Sequence, residues 1–270
     1  QKCVRAGGKH NDLDEVGFTD RHLTFFEMLG NFAFGSYFKE QAIEFAWIFL
    51  TQEIGLDATK LSVTVHFSDQ ESFDIWHNKI GLEESRITKL GDEDNFWQMG
   101  DVGPCGPCTE IFYDRGQAWE DKIVLGRKTT RYLEVWNLVF MQYSQQQSGE
   151  RKLLARTGVD TGMGLERLTM VLNNGETVFD TEVFWPIFRE LEKITGLSYK
   201  SSDLSIQTAF NVVADHLRSS VMIISDGQVP SNDGRGYVLR KIIRRALLFL
   251  KKISNNPEVF ADLADILALE

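Results

Sequence analysis

Cysteine and long apolar runs are both scarce in this sequence. Three cysteines in 270 residues are too few for a disulfide framework, which predicts a reducing compartment, and we expect the cytoplasm. No apolar run approaches the roughly 18 residues that a membrane-spanning helix needs, so no membrane partner is expected. A secretory signal is also missing and the first residue is Gln1, which predicts a fragment of a longer protein.

Basic residues are outnumbered by acidic ones, 29 to 39, and the formal net charge is −10. This charge argues against nucleic-acid binding by the whole surface. Residues 235–252 are the exception, because they contain no acid and seven basic side chains: Arg235, Arg240, Lys241, Arg244, Arg245, Lys251 and Lys252. Removing those seven charges takes the remainder from −10 to −17, so one basic element belongs to an otherwise acidic protein.

Hydrophobic periodicity predicts an α+β domain followed by a helical region. Strands are predicted at residues 61–67, 95–99, 110–113 and 132–143. Helices are predicted at residues 39–54, 70–79, 165–172, 181–195, 205–225, 236–252 and 257–267. A polar break at residues 196–203 divides the chain into a domain at 1–198 and a helical region at 199–270.

The start of the chain is the most informative segment. Two extended runs, residues 2–6 and 23–29, surround a long polar loop, which predicts an antiparallel hairpin with a long tip. Such a loop is uncommon in a compact domain and is usually functional. Arg5, Lys9 and His10 place positive or protonatable groups beside glycine-rich backbone, which suits a polyphosphate. The GxxxxGK[ST] spacing of a P-loop is absent, and an ordinary solvated hairpin is the alternative.

Cys105 and Cys108 form a CGPC motif that has three interpretations. The spacing fits a thioredoxin-type dithiol or half of a zinc site. However, a redox motif should open a helix, whereas the next residues resemble a strand, and no paired spacing supplies two more zinc ligands. We therefore favour a tight turn at residues 103–108 that places the strands at 95–99 and 110–113 together, and we expect no zinc.

Polar residues interrupt two apolar segments. Asn137 lies in an otherwise apolar strand, where it is either satisfied by neighbouring loops or directed at a ligand. Asp160 precedes Gly162 and Gly164, which lead into a helix and let a ligand approach the backbone, and Arg167 lies one turn later on the same helix face. Taken alone, this GxGxxR pattern is weak, and a helix cap explains it more simply.

The basic segment is predicted to be a helix with one charged face. At 100° per residue, its six basic side chains from residue 240 onward fall within a sector of roughly 140°, opposite an apolar side. A charged face is usually only solvated, but it normally mixes signs. A run of like charges in an acidic protein favours phosphate binding.

At least five separated segments resemble the alanyl-tRNA synthetases, a family of class II aminoacyl-tRNA synthetases. CVRAGGKHNDL and TFFEMLGNF are similar to motif 2 of that class, and GMGLER is similar to its motif 3. DNFWQMGDVGPCGPCTEI and EVWNLVFMQY resemble the catalytic core, and VVADHLRSS and SNDGRGYVLRKIIRRA resemble the helical tRNA-recognition region. The resemblance covers essentially the whole chain. It implies a mainly antiparallel sheet flanked by helices, followed by an all-helical region.

The resemblance also implies an activity and a set of site residues. The activity is activation of L-alanine with ATP, which brings Mg²⁺, and transfer to the 3′ end of alanine tRNA. Arg5 and Lys9 are the expected catalytic residues. Contacts with ATP are expected from Arg5, Phe26, Trp97, Val135, Trp136, Asn137, Gly164 and Arg167. Contacts with alanine are expected from Trp97, Val135, Asn137 and Asp160. Contacts with the tRNA acceptor stem are expected from Asn232, Arg235, Arg240, Arg244 and Arg245.

The sequence departs from the family in three respects. His22 is followed by Leu23, where family members commonly have a second histidine that contacts the triphosphate. The segment ahead of motif 2 and the editing domain are not in this chain, so proofreading of serine is not expected of it. Two other functions therefore stay open: a related enzyme that charges another acceptor, and a non-catalytic tRNA-binding module.

Overall fold

The computed structural model describes residues 1–7, 11–200 and 202–268. The strands within these residues are β1 (Lys2–Val4), β2 (Phe25–Leu29), β3 (Phe32–Phe34), β4 (Leu61–His66), β5 (Ile87–Leu90), β6 (Phe96–Gln98), β7 (Gly103–Asp114), β8 (Ile123–Val124), β9 (Arg127–Lys128), β10 (Tyr132–Gln145) and β11 (Arg151–Gly164). The α-helices are α1 (Lys39–Ile48), α2 (Gln70–Asp74), α3 (Asp92–Asn95), α4 (Leu165–Leu172), α5 (Trp185–Thr195), α6 (Leu204–Ser225), α7 (Gly234–Leu250) and α8 (Val259–Ala268). No described helix is long and apolar enough to cross a membrane.

The chain packs as two compact units. Residues 1–27, 121–129 and 165–270 form one, here called the hairpin–helix unit, and residues 28–120 and 130–164 form the other, here called the sheet unit. The hairpin–helix unit contains β1, the first three residues of β2, the short β8–β9 pair and helices α4 to α8. The division into domains at 198/199 stays a prediction, because these units are defined by packing alone.

The sheet unit is built on a mostly antiparallel sheet. Its strands lie in the order β2–β11–β10–β7–β4–β5, with β3 also paired with β11 and β6 paired with β7. The β4–β5 pair is parallel, and the other pairs of this unit are antiparallel. The expected fold class, an antiparallel sheet flanked by helices with a helical region after it, is confirmed.

One face of the sheet is covered by α1 and by the turn after α2, where Trp76 Nε1 donates to Thr109 Oγ1 of β7 at 2.9 Å. Ala42, Ile43 and Ala46 of α1 are fully buried, as the helical spacing of apolar residues requires. Both helices continue as π-helical segments, Phe49–Glu53 and Ile75–Lys79. The predicted helices at 39–54 and 70–79 therefore each consist of an α-helix followed by a π-helical segment. Burial of a side chain such as Ile43 contributes about 1.5–3 kcal/mol.

The hairpin–helix unit contains the predicted hairpin. Cys3 lies opposite Phe26 in the antiparallel β1–β2 pair, so the extended runs at 2–6 and 23–29 are confirmed as a hairpin. Ala6 and Leu13 pack in a buried cluster with Ile242 of α7. Gly17 has a positive φ of 88° and lies so close to Val212 of α6 that a β-carbon would collide with it. These contacts hold the hairpin loop against the helices of its own unit.

The CGPC motif corrects one prediction. Residues 103–108 are not a turn but the first half of β7, and β6 pairs with the motif itself, with Phe96 opposite Pro107 and Gln98 opposite Cys105. A β-carbon on Gly106 would collide with the backbone oxygen of Phe140. The glycine therefore allows β7 to pass close to β10, a role that glycine commonly has within strands.

The long strand β11 was missing from the sequence-based prediction. Its first six residues, 151–156, are exposed or half-buried, so no alternation of apolar and polar residues marks them. Asp160, Gly162 and Gly164 lie at the end of this strand, and α4 begins at the next residue, Leu165. The helix is confirmed at its predicted bounds, but the glycines before it belong to a strand rather than to a turn.

Candidate functional site

Each unit carries its own group of candidate residues. In the sheet unit, Asn137 of β10 lies opposite Glu110 of β7 and Gly162 of β11, while Val139 lies opposite Cys108 and Asp160. Since paired residues share a face and every second residue of a strand returns to it, all of these side chains lie on one side of the sheet. The other side is the one that α1 covers, because Phe49 contacts Trp136 and Phe38 contacts Phe140.

Trp97 joins the polar residues on this face. It lies opposite Gly106 in the β6–β7 pair, and Gly106 shares its face with Cys108, two residues later. The indole ring of Trp97 is half-buried, as are Glu110, Asn137 and Asp160. The face therefore combines one aromatic wall with two carboxyl groups and one amide.

Asn137 has an unused acceptor on this face. Its Nδ2 donates to Glu110 Oε1 at 3.0 Å, while its Oδ1 is buried and accepts no hydrogen bond from the described residues. A buried acceptor without a donor costs about 1–3 kcal/mol. A ligand that brings a donor, such as an ammonium group, would remove that cost.

Asp160 supplies a negative charge next to this acceptor. It lies diagonally from Asn137 across β10 and β11, a placement that typically separates two residues by roughly 7–8 Å and their β-carbons by somewhat less. Burial raises the pKa of the Asp160 carboxyl above its usual value of 3.8. A partly desolvated carboxylate gains more from a bound cation than an exposed one does. Asn137 and Asp160 together can hold a small ammonium group between them.

Three residues expected to meet a ligand here do not present an open surface on this face. The Trp136 side chain is buried on the helix-covered side, where its ring centroid is 5.7 Å from that of Phe49. Val135 is the extra residue of a bulge between β10 and β7 and is also buried. Gly162 does not leave open space, because the Met28 side chain fills it: a β-carbon there would lie 2.5 Å from Met28 Sδ. The Trp136 side chain therefore does not share the face of Asn137, and its contact with ATP stays a prediction.

The thiols of the CGPC motif do not support redox chemistry. Cys105 and Cys108 are free and buried, and residues three apart on a strand point to opposite faces. Burial raises the pKa of both thiols, that of Cys108 to about 12, which leaves little reactive thiolate. Among the described residues, no group of three or more His, Cys, Asp or Glu side chains is placed to hold a metal ion.

In the hairpin–helix unit, Arg5 and Phe26 lie together. Arg5 follows β1, its backbone nitrogen donates to Thr24 O at 2.8 Å, and its guanidinium carbon lies 5.1 Å from the centre of the Phe26 ring. The Arg5 side chain is exposed. An exposed arginine beside an aromatic ring offers donors for a phosphate and a flat surface for a base. Lys9 and His10, which the sequence also assigned to this site, lie outside the described residues.

Besides burial, the positive charges of Arg5 and Arg167 both lower the pKa of the His22 imidazole. The pKa of His22 is lowered to about 4, first by burial and then by the positive charges of Arg21, Arg167 and Arg5, with Asp20 opposing them. His22 is therefore neutral at physiological pH, and its Nδ1 lies 2.8 Å from Thr19 Oγ1. Convergence of these charges in one unit creates a positive potential that suits an anionic phosphate. Leu23, where the family commonly has histidine, is buried.

A buried ion pair that the sequence reasoning missed fixes the start of α4. Both carboxylate oxygens of Glu166 accept from Glu27 N at 3.1 Å, and Arg218 Nη1 donates to Glu166 Oε1 at 2.6 Å. The side chains of Glu166 and Arg218 are 4% and 6% exposed. The pair anchors α4, which carries Arg167, to α6 and β2 of its own unit. The sequence feature that could have indicated this ion pair is the glutamate between the apolar positions of GMGLER.

Burial raises the pKa of Glu166 above its usual value of 4.5, although Arg218 opposes the shift. The folded state therefore holds this proton more tightly than the unfolded state does. The resulting contribution to stability is full below the unfolded pKa and is lost as the pH rises through the folded pKa. Arg218 limits that loss because its charge stabilises the carboxylate.

The basic helix α7 is confirmed, but its charged face is smaller than expected. Arg235, Arg240, Lys241 and Arg244 are exposed, and Arg240 donates to the Asn232 side chain. Arg245 instead donates to His216 Nε2 at 2.9 Å and to Val16 O at 3.2 Å. The placement of Arg245 on the outer face was therefore wrong.

Comparisons with known proteins identify relatives along the whole chain. A family model described as tRNA synthetases class II (A) matches residues 1–269. The chain is 51% identical to the alanine–tRNA ligase of Lawsonia intracellularis (strain PHE/MN1-00) over 259 residues, which cover 95% of this chain and 29% of that protein. It is 51% identical to the Desulfosudis oleivorans (strain DSM 6200 / JCM 39069 / Hxd3) alanine–tRNA ligase over 257 residues, 94% of this chain and 29% of that protein. The chain thus spans less than a third of the length of these relatives.

Proposed function

Because the chain belongs to the class II (A) tRNA synthetase family, we propose that it is part of the catalytic region of an alanine–tRNA ligase. The proposed activity is activation of L-alanine with ATP and transfer of the alanyl group to the 3′ end of alanine tRNA. Relatives at 51% identity are alanine–tRNA ligases, which supports alanine as the amino acid. Charging of tRNA accompanies translation, so we propose a cytoplasmic location.

Activation needs positioning more than proton transfer. The alanine carboxylate is already ionised at neutral pH, so no general base is required. One carboxylate oxygen attacks the α-phosphorus of ATP, the bond to the bridging oxygen breaks, and pyrophosphate leaves with that electron pair. The protein supplies alignment and cationic stabilisation of the phosphoryl oxygens. We assign the α-phosphate contact to Arg5, with Lys9 assisting, and Mg²⁺ enters with ATP.

For the nucleotide base, we propose that Phe26 and Arg167 lie on its two faces. The proximity of Arg5 and Arg167 to one imidazole, that of His22, supports a shared anionic ligand. Trp97, Asn137 and Gly164 are proposed to contribute to ATP binding on the strength of the family resemblance. Val135 keeps its predicted role, whereas the contact of the Trp136 side chain with ATP stays only a prediction because that side chain packs against Phe49.

For alanine, the observation that carries the proposal is the unused Asn137 Oδ1, which shares one face of the sheet with Asp160 and Trp97. We propose that Asp160 and Asn137 bind the ammonium group and that Trp97 limits the size of the side chain. A methyl group supplies only about 1–3 kcal/mol of discrimination, and an apolar wall rejects an added hydroxyl poorly. Serine is therefore expected to be activated as well, though more weakly.

For the acceptor stem of alanine tRNA, we propose contacts with Asn232, Arg235, Arg240 and Arg244. Their support is the exposed positive charge of α7 in a protein with a net charge of −10. Gly236 keeps this surface close to the preceding loop, because a β-carbon there would collide with Ser231 and with Val229 O. Arg245 is not included, since it is hydrogen-bonded to His216 and Val16 within the protein.

The test is ATP–pyrophosphate exchange with each standard amino acid, followed by charging of alanine tRNA. We expect exchange with alanine, weak exchange with serine, and charging of alanine tRNA alone. Exchange without charging of any tRNA would favour a related enzyme with another acceptor. Tight tRNA binding without any exchange would favour a non-catalytic module. Exchange with a large amino acid in preference to alanine would contradict the proposed pocket.

A further inference from the structure

Arg245 is a basic residue of α7 whose donors point into its own unit. Nη1 donates to His216 Nε2 at 2.9 Å, and Nη2 donates to Val16 O at 3.2 Å. Its guanidinium carbon also lies 5.0 Å from the centre of the Phe249 ring. These bonds use two of the five guanidinium donors and direct the charged end of Arg245 toward the interior of its own unit, away from the solvent-exposed face of α7.

The bond from Arg245 determines the state of His216. A guanidinium only donates, so Nε2 of His216 accepts and the imidazole proton is on Nδ1. Nδ1 then donates to Asp215 Oδ2 at 2.7 Å. His216 is fully buried, and burial lowers its pKa although Asp215 opposes the shift. A neutral imidazole with one donor and one acceptor is thus a directional link between Arg245 and Asp215.

Asp215 connects His216 to the hairpin by accepting hydrogen bonds from Thr24. Its Oδ1 accepts from Thr24 N at 2.9 Å, and its Oδ2 accepts from the Thr24 hydroxyl. Ser219 Oγ lies 2.5 Å from Thr24 Oγ1. The side chains of Thr24, Asp215 and Ser219 are buried. Thr24 is therefore held through both its backbone nitrogen and its side chain.

Thr24 in turn holds Arg5, because Thr24 O accepts the backbone nitrogen of Arg5 at 2.8 Å. One continuous chain of hydrogen bonds thus runs from α7 through α6 to the backbone of the phosphate-binding arginine. An apolar core would be simpler, since a buried polar network stabilises a fold only when it is fully satisfied. Its direction toward Arg5 suggests a functional use.

We infer that Arg245 is a positioning residue that acts through His216, Asp215 and Thr24 to orient Arg5 toward ATP, and that it is not an RNA contact. The inference rests on the proposed function, in which Arg5 binds the α-phosphate. Small displacements of such a group are costly, since a misplacement of about 1 Å can reduce the rate by about a hundredfold.

The first test separates ATP from alanine in pyrophosphate exchange without tRNA. Arg245→Gln removes the charge and three of the five side-chain donors, and Thr24→Val removes the hydroxyl while keeping the shape of the side chain. Each is expected to raise the KM for ATP by about tenfold and to leave the KM for alanine unchanged. Thr24→Ser keeps the hydroxyl and should restore the parental value. The control Arg189→Gln makes the same charge change at an exposed position of α5 and should have no effect.

The double variant and a conservative variant sharpen this test. Arg245→Gln combined with Thr24→Val should raise the KM for ATP by less than the product of the single effects, because both break one chain. If Arg245→Gln does not fold, Arg245→Lys keeps a donor and should show a smaller increase. A folded Arg245 variant with parental KM for ATP and weakened tRNA binding would overturn the inference and return Arg245 to the RNA surface.

The second test does not depend on activity. Hydrogen exchange at the Arg5 amide reports its bond to Thr24 O, and it should accelerate in Arg245→Gln and Thr24→Val but not in Thr24→Ser or Arg189→Gln. Unchanged exchange in both variants would refute the positioning chain. If exchange responds but the parent protein activates no amino acid, the chain of bonds is supported while the proposed function fails.

Discussion

Asp160→Asn is the substitution that most directly tests the alanine site. The change keeps the size of the side chain and removes its negative charge, so the ammonium group of alanine loses its ionic partner. Hydrogen bonds to charged groups contribute about 1.5–3 kcal/mol. Since about 1.4 kcal/mol corresponds to a factor of ten, the KM for alanine should rise about tenfold to a hundredfold. Asp160 is half-buried, which places the expected loss above that of an exposed ion pair, about 0–1 kcal/mol.

The assay is pyrophosphate exchange at varied alanine and saturating ATP, and the KM for ATP should stay nearly unchanged. Asp101→Asn is the control, because Asp101 belongs to the same unit and is exposed. Parental alanine kinetics in a folded Asp160→Asn protein would remove the ammonium role from Asp160, and Glu110 would become the acid to test.

The raised pKa of Asp160 adds a pH dependence to this prediction. The carboxylate binds the ammonium group only when it is ionised, and burial moves its ionisation above the usual pKa of 3.8. The value of kcat/KM for alanine should therefore fall as the pH drops through that raised pKa, and the fall should be absent from Asp160→Asn. The same acid limb in parent and variant would assign it to a different group.

Three other substitutions test the remaining parts of the proposal. Arg5→Ala should reduce pyrophosphate exchange by about 10²–10³-fold with an unchanged melting temperature, and a loss of only a few fold would refute the phosphate role. The double change Arg240→Gln/Arg244→Gln should weaken tRNA binding and flatten its salt dependence by about one unit for each lost phosphate contact, while alanine activation persists; unchanged tRNA affinity would make α7 an ordinary solvated face. Arg218→Met should lower the melting temperature, because breaking a buried pair costs about 3–5 kcal/mol. That deficit should shrink as the pH falls through the raised pKa of Glu166 and the carboxylate takes up a proton, and a pH-independent deficit would contradict the role of its charge.

The fold was predictable where hydrophobic periodicity was strong. Helix α4 has its predicted bounds, and α6 and α7 differ from theirs by two residues or fewer, because apolar residues on one helical face leave a regular pattern. The strand β11 was missed for the opposite reason: its first half is mostly exposed and shows no regular alternation of apolar and polar residues. Its place is determined by pairing with β10 at residues 151–153 and 158–163, and pairing with another strand leaves no trace in the local sequence of β11.

The candidate site was predictable in its residue types more than in its geometry. Motif resemblance selected Trp97, Asn137 and Asp160, and the strand register places all three on one face. The same segment also led to the prediction of Trp136. Because Trp136 is adjacent to Asn137 in the strand, its side chain points to the opposite face. A sequence motif thus identifies a strand near a ligand, but only the register determines which alternate side chains face it. Glu110 escaped notice because a single acid in a short strand resembles a solvated residue until its partner, Asn137, is known.

Arg245 shows a related limit of prediction from the sequence, because it lies at the edge of the charged face of α7. At 100° per residue it lies about 140° from Arg240 and only about 60° from the buried Ile242. A long side chain at such an edge can turn toward solvent or toward the core, since its charged end and its apolar stem favour different surroundings. The choice depends on acceptors supplied by other parts of the unit, here His216 of α6 and Val16 O of the hairpin loop. Charge counting along α7 therefore overstated the proposed RNA surface by one residue, because Arg245 is hydrogen-bonded to neighbouring segments of its own unit.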